Sequence, residues 1–243
     1  MSDQPVAVVT GASRGIGEAI ASRLEAAGFR TARTAEMWDE AAPDRFTSDL
    51  ADLDSHAATV GDILARYGRI DCLVNNAGIG SPRRGDFVEL TPETFDHVMN
   101  VNLRGTVFFT QTVMRAMLEN KSATHPRSII FITSASATAA SPERLDYCMS
   151  KAALAMFAKG LALRLAGQGI SVFEVRPGII RTDMTSGVAA KYDRLIAEGV
   201  VPERRWGEPD DIASIVAALA GGAFPFSTGT VIEAGGGLTI PRL

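Results

Sequence analysis

Short apolar runs alternate with helix-length segments along the whole of this 243-residue chain, and that alternation limits its possible folds more than any other feature. Val6 to Thr10 is a continuous apolar run that stops at Gly11, the pattern of a strand buried on both faces. A helical pattern follows through Ala27 and is closed by Gly28. Phe29 to Thr34 reads as a second strand, diluted by Arg30 and Arg33, and Arg45 to Ser48 as a third, so the usual crossover helix between them shrinks to a turn or loop. In order there follow a helix from about Ser55 to Tyr67, a strand Ile70 to Asn75, a long helix from about Pro92 to Glu119 and a strand Ser128 to Thr133. Next come a helix Ser150 to Ala166, a strand Ser171 to Arg176, a mobile-looking segment after Pro177 to about Arg205, a helix from about Pro209 to Ala220 and a last strand Thr230 to Glu233. The order predicts an α/β fold: one domain spanning residues 1–243, with a doubly wound, mostly parallel seven-stranded sheet and helices on both faces.

Composition narrows the ligands. Twenty-four basic against 28 acidic residues, without long single-sign blocks, gives no nucleic-acid footprint and points to small molecules. Cys72 and Cys148 lie far apart without metal-type spacing, so they read as reduced thiols of a cytoplasmic protein, and the scattered His56, His97 and His125 suggest no metal site. The stretch Met-Ser-Asp-Gln-Pro carries neither a basic segment nor an apolar signal core. Ile212 to Ile232 is uncharged and long enough for a membrane span, but Gly221, Gly222, Pro225 and Gly229 divide it into a buried helix, a turn and a strand.

Residues with chemical potential cluster at the carboxyl ends of the expected strands, where open α/β sheets form their ligand crevice. Gly11, Gly15 and Gly17 make a G-x-x-x-G-x-G turn between strand and helix, which allows a tight bend and close approach of a pyrophosphate to the helix N-terminus; three glycines alone could equally be a plain turn. Asn75-Asn76-Ala77-Gly78 ends the fourth strand and would by itself pass for a polar turn. Asn102 sits in a helical pattern it does not favour, either solvated or interrupting the helix to hold something. Ser134 closes the fifth strand, either bonding nearby backbone or meeting charge that develops on a substrate oxygen.

Thirteen residues later, Tyr147 stands four before Lys151, on one face if both lie in a first helical turn. Such pairs are often a packed aromatic with a snorkelling lysine. The chemical reading is that a neighbouring ammonium favours the phenolate and lowers a phenol pKa of about 10, which prepares the pair for proton transfer.

Together these motifs, in this order and over essentially the full length, resemble the short-chain dehydrogenase/reductase family, near its 3-oxoacyl-(acyl-carrier-protein) reductase branch. The resemblance implies a Rossmann-type fold and an NAD(P)(H)-dependent oxidoreductase that interconverts a ketone and a secondary alcohol. By similarity, Tyr147 is the acid/base, Ser134 orients the carbonyl, Lys151 activates Tyr147 and holds a ribose, and Asn102 anchors a water-mediated proton relay. The same likeness assigns Gly11, Ser13, Arg14, Gly15, Ile16 and Gly17 to the cofactor's phosphates, and Asp49 and Leu50 to the neighbourhood of the adenine. Asn76, Ala77 and Gly78 fall beside the adenosine ribose, Pro177, Gly178, Ile180 and Thr182 around the nicotinamide, and residues of about 183–206 in a substrate loop. It also implies a homotetramer.

Two departures from the family pattern bear on specificity. At the end of the second strand, Arg33-Thr-Ala-Glu36 places Ala35 where NAD enzymes carry Asp; with Arg14 nearby the balance favours NADP(H), although Glu36 suits a ribose hydroxyl and keeps NAD(H) as the alternative. The basic pair that would meet an acidic carrier protein is missing around Ala166-Gly-Gln168 and His125-Arg127. The rival readings are an NAD-dependent sugar, polyol or small-alcohol dehydrogenase, and a non-catalytic dinucleotide sensor, which would need the crevice but no proton relay.

Overall fold

The computed structural model describes residues 3–120 and 124–242, so Met1 and Ser2 of the Met-Ser-Asp-Gln-Pro stretch lie outside the described residues. Its strands are β1 (Val6–Thr10), β2 (Arg30–Ala35), β3 (Arg45–Thr47), β4 (Cys72–Asn75), β5 (Arg127–Ile132), β6 (Ile170–Pro177) and β7 (Val231–Ala234). They form one sheet in the order β3-β2-β1-β4-β5-β6-β7, and every neighbouring pair is parallel. The helices are α1 (Gly15–Ala26), α2 (His56–Tyr67), α3 (Pro92–Met99), α4 (Thr106–Glu119), α5 (Leu145–Leu165), α6 (Asp183–Ser186), α7 (Ala189–Ala197) and α8 (Pro209–Ala220).

Successive side chains of a strand point to opposite faces, and both faces here are covered. Val6, Val8, Leu73, Ile129 and Phe131 pack with Ile63 of α2, Phe109 and Val113 of α4 and Leu154 of α5. Ala7, Val9, Val74, Ile130 and Ile132 pack with Ile20 and Leu24 of α1 and Ile212 and Val216 of α8. Each fully buried Leu, Ile or Phe contributes about 1.5–3 kcal/mol, which is why a strand in this setting holds an unbroken apolar run.

The architecture agrees with the sequence pattern, and residues 36–44 between β2 and β3 carry no helix, as the short spacing predicts. Three places differ. Pro92 to Glu119 is helical throughout but not uniform, because a π-helical stretch, Asn100–Gly105, joins α3 to α4. Gly105 there lies so close to Leu50 that a Cβ would overlap its carbonyl, and the wider turn brings Asn102 inward. The helix expected to start at Ser150 begins at Leu145 instead, so Tyr147 and Lys151 share its first two turns. The segment read as mobile after Pro177 holds α6 and α7; Thr182 and Thr185 cap α6 reciprocally, and Ile196, Val201 and Trp206 form a small core of their own. Brief helices rich in polar residues expose too few apolar positions for their period to be read.

Candidate active site

The glycine turn is held from behind by the loop after β4. Thr10 Oγ1 accepts from the backbone N–H of Asn76 and of Ala77, both at 3.0 Å, while Asn76 Nδ2 donates to the carbonyls of Thr10 at 2.9 Å and Gly11 at 3.2 Å. The Asn76 amide is therefore spent on fixing the turn. Gly11 has φ +65°, and a Cβ on it would lie 2.8 Å from Ala77 Cα, so only glycine allows this approach. Arg14 precedes α1 in extended conformation, and no side chain caps the helix. Its first amides thus remain available, with the positive end of the helix dipole, to an anion such as a pyrophosphate.

A buried polar cluster forms where α5, the π-helical stretch and the Asn75–Gly78 turn meet. Asn102 is fully buried and satisfied: Nδ2 donates to Ile79 O at 2.9 Å and to Ser150 Oγ at 3.1 Å, and Oδ1 accepts from Ile79 N–H at 2.7 Å. A Cβ on Gly78 would lie 3.1 Å from Asn102 Oδ1 and 3.4 Å from Lys151 Nζ, which brings three sequence-distant motifs to one point. Lys151 Nζ donates to Ile132 O at 3.2 Å, and burial pushes its pKa down to about 8.

Tyr147 is buried as well, and burial raises its pKa, with the Ser134 hydroxyl and the Arg144 guanidinium pulling the other way. This corrects the expectation that Lys151 lowers the phenol. Lys151 Nζ stands 5.8 Å from the ring centroid and is engaged at Ile132, while the cation that favours the phenolate is Arg144, at 5.1 Å from the same centroid. Ser134 Oγ also accepts from Ser136 N–H at 3.0 Å.

The remaining sequence candidates surround the same crevice. Pro177 ends β6, and Gly178 meets Gly235 so closely that a Cβ would lie 2.6 Å from its Cα. Buried Ile180 bridges to Gly207, and Thr182 approaches Gly15, its Cγ2 3.5 Å from where a Cβ would stand. Ser13, Arg14 and Asp49 are exposed, Ile16 and Gly17 line the start of α1, and Leu50 is buried with its carbonyl bonded to His56 Nε2 at 3.1 Å. Sequence reasoning missed Arg144, Ser81, Asp146, Lys191 and Tyr192. Asp146 accepts from the Tyr147 N–H at 2.8 Å and from the Ser81 hydroxyl, Lys191 Nζ bonds Glu143 at 2.7 Å, and Tyr192 lies close enough to Tyr147 to disfavour its phenolate. None of them carried a sequence signal, since with the helix read from Ser150 only the structure places Arg144 at its N-terminus.

Residues 11–239 match the family model described as "Enoyl-(Acyl carrier protein) reductase". The chain is 37% identical over 242 residues to an acetoacetyl-CoA reductase of Shinella zoogloeoides, covering 96% of this chain and 97% of the relative. It is 35% identical over 243 residues to the 3-oxoacyl-[acyl-carrier-protein] reductase of Escherichia coli (strain K12), covering 96% of each. A crystal structure of a 3-oxoacyl-[acyl-carrier protein] reductase from Brucella melitensis in complex with NAD superposes with a TM-score of 0.98 at 56% identity, over 100% of both chains. With this match over nearly its whole length, the chain belongs to the short-chain dehydrogenase/reductase family of NAD(P)-dependent oxidoreductases, which interconvert ketones and secondary alcohols.

Proposed function

We propose that Tyr147 gives a proton to a ketone oxygen during reduction, and takes it back from the alcohol in the reverse direction, while a bound nicotinamide dinucleotide supplies or accepts the hydride. The observation that carries this reading is the convergence of Asn102, Lys151 and Gly78 beside a buried Tyr147. A phenol whose pKa is raised stays protonated at neutral pH, which suits the donor role and hence the reductive direction. Ser134 steadies the carbonyl oxygen as charge develops on it. Lys151 holds a ribose and Asn102 keeps the polar path behind it in register through Ile79 and Ser150.

The residues present fit a dinucleotide. The uncapped start of α1 with Gly11, Ser13, Arg14, Gly15, Ile16 and Gly17 would take the phosphates, Asp49 and Leu50 the adenine side, Ala77 and Gly78 the neighbouring ribose, and Pro177, Gly178, Ile180 and Thr182 the nicotinamide. Asn76 supports them by fixing the turn. A Cβ on Gly17 would overlap both the Gly11 carbonyl and the Asn76 amide. Gly17→Ala is therefore expected to weaken NADH and NADPH binding alike, by about tenfold or more. A fluorescence titration checks this, and unchanged affinity would show that the turn does not hold the phosphates.

For cofactor preference the reading is NAD(H). Against the NADP(H) balance of the sequence, Arg33 is held by Glu25 at 2.9 Å and Asp44 at 3.1 Å, and Arg14, the cation read as able to meet a 2′-phosphate, faces Asp183 at 3.7 Å, while Glu36 stands exposed after β2. The 56%-identical Brucella protein was crystallised with NAD. Glu36→Arg is expected to move the NADPH/NADH ratio of kcat/KM towards NADPH by about tenfold or more, as a repulsive carboxylate becomes a phosphate partner. An unchanged ratio would place Glu36 away from the adenosine ribose.

Residues of about 183–206, with α6 and α7, form the substrate-facing cover of the domain, and the assembly is a homotetramer. Apolar side chains stand exposed on α4 and α5 (Phe108, Met149, Met156 and Leu163) and beside the edge strand β7 (Phe224 and Phe226), two faces that an assembly of this kind would cover. Light scattering that gives four chains supports this. The protein works in the cytoplasm: Cys72 and Cys148 are both free and buried, and no helix among the described residues is long and apolar enough to cross a membrane.

A further inference from the structure

We propose that Arg144 is the acid-group receptor of the substrate cleft, so that the ketone or alcohol handled at Tyr147 carries a carboxylate a few bonds from its reacting carbon. The inference rests on the reading of Tyr147 as proton donor and adds the chemical class of its substrate.

Arg144 occupies the N-cap of α5, a place where the helix dipole opposes a cation and where no side chain caps the helix. Its guanidinium is half-buried, 5.1 Å from the centroid of the Tyr147 ring. Among the described residues it has no hydrogen-bond or ion-pair partner, whereas Arg33, Arg69 and Arg176 each engage a carboxylate. Arg84 is likewise half-buried without such a partner, and the N–H of Gly85 next to it bonds the Glu143 carbonyl at 3.1 Å.

The carboxylates facing this corner engage other groups and contact neither guanidinium. Glu143 takes Lys191 at 2.7 Å and also feels Arg84 and Arg144 without contacting them, Asp86 caps Val88 N–H at 3.1 Å, Glu89 faces Arg83 at 3.9 Å, and Asp146 receives the Ser81 hydroxyl and the Tyr147 N–H on Oδ1 while its Oδ2 has no partner. Neither the Arg144 nor the Arg84 guanidinium is in ion-pair contact with any of them. A partly desolvated guanidinium without an anion is costly to keep, and its planar fork of donors fits a carboxylate in bidentate fashion. The Tyr147 hydroxyl and the Arg144 fork thus offer a proton donor and an acid clamp on one small molecule. A thioester, uncharged near its ketone, would leave the clamp empty.

The test is a matched pair of probes, acetoacetate and its neutral methyl ester, with the full chain and saturating cofactor. The wild type is expected to prefer the acid in kcat/KM, and Arg144→Gln to reduce the acid/ester ratio by about 10- to 100-fold, with a smaller loss of the same sign for Arg84→Gln. Arg144→Lys, which keeps the charge without the fork, should fall between and serves if the Gln variant does not fold. A wild type that prefers the ester overturns the proposal. So does an Arg144→Gln variant that loses acid and ester equally, since Arg144 would then act only through Tyr147. If neither probe is reduced, neither is a substrate, the proton-donor reading is judged by the Tyr147→Phe variant on a diketone, and calorimetric titration of malonate into cofactor-saturated protein judges the acid site. Binding lost in Arg144→Gln upholds the site; binding that is absent in the wild type, or unchanged in the variant, overturns it.

Discussion

Replacing Tyr147 by Phe is expected to lower kcat by about 10³- to 10⁴-fold while cofactor affinity and melting temperature stay near those of the wild type. The substitution removes one hydroxyl and leaves the ring that Arg144 and Lys151 flank, so packing around the start of α5 is preserved. What disappears is the phenolic proton. About 10³-fold corresponds to ~4 kcal/mol of transition-state stabilisation, a size that general acid catalysis supplies and that loss of a neutral hydrogen bond alone does not. Single-turnover reduction of a diketone checks it. Turnover within about tenfold of wild type would take Tyr147 out of the proton transfer.

Lys151→Met is expected to abolish most activity and yet make the cofactor-free protein more stable at pH 7. Burial lowers the Lys151 pKa from 10.5 to about 8, so below pH 8 the folded state carries a charge that the unfolded chain would hold more easily in water. Between pH 8 and 10.5 the unfolded state binds the proton that the folded state has released, so wild-type stability rises with pH across that window. The penalty at pH 7 is on the order of 3 kcal/mol at most, reduced in the variant by loss of the Lys151 bond to the Ile132 carbonyl. The stability advantage of Lys151→Met should therefore be largest at neutral pH and shrink as the pH approaches 10.5. Melting curves of both proteins from pH 7 to pH 10 test this. A pH-independent difference would mean that Lys151 is not desolvated in the folded protein.

The sheet was legible because parallel strands covered on both faces need contiguous apolar residues, and Val6 to Val9 or Ile129 to Ile132 leave little choice. The glycine turn was legible because backbone conformation at Gly11 and contact at Gly17 exclude side chains. The segment after β6 was not, since α6 and α7 are short and draw their order from Trp206, Val201 and the Thr182–Thr185 caps.

By itself, then, the sequence determined the layers of this protein, the crevice at the strand ends and the spacing of Tyr147 and Lys151, because each depends on local periodicity or on residues a few positions apart. Only the tertiary structure decided which cation attends the phenol, because the bond from Lys151 to Ile132 and the placement of Arg144 over Tyr147 arise from packing. It also decided that Asn102 is committed to Ile79 and Ser150, and that Arg33 is claimed by Glu25 and Asp44. The sign of each shifted pKa follows from burial, a property of the whole fold that no single stretch of sequence carries.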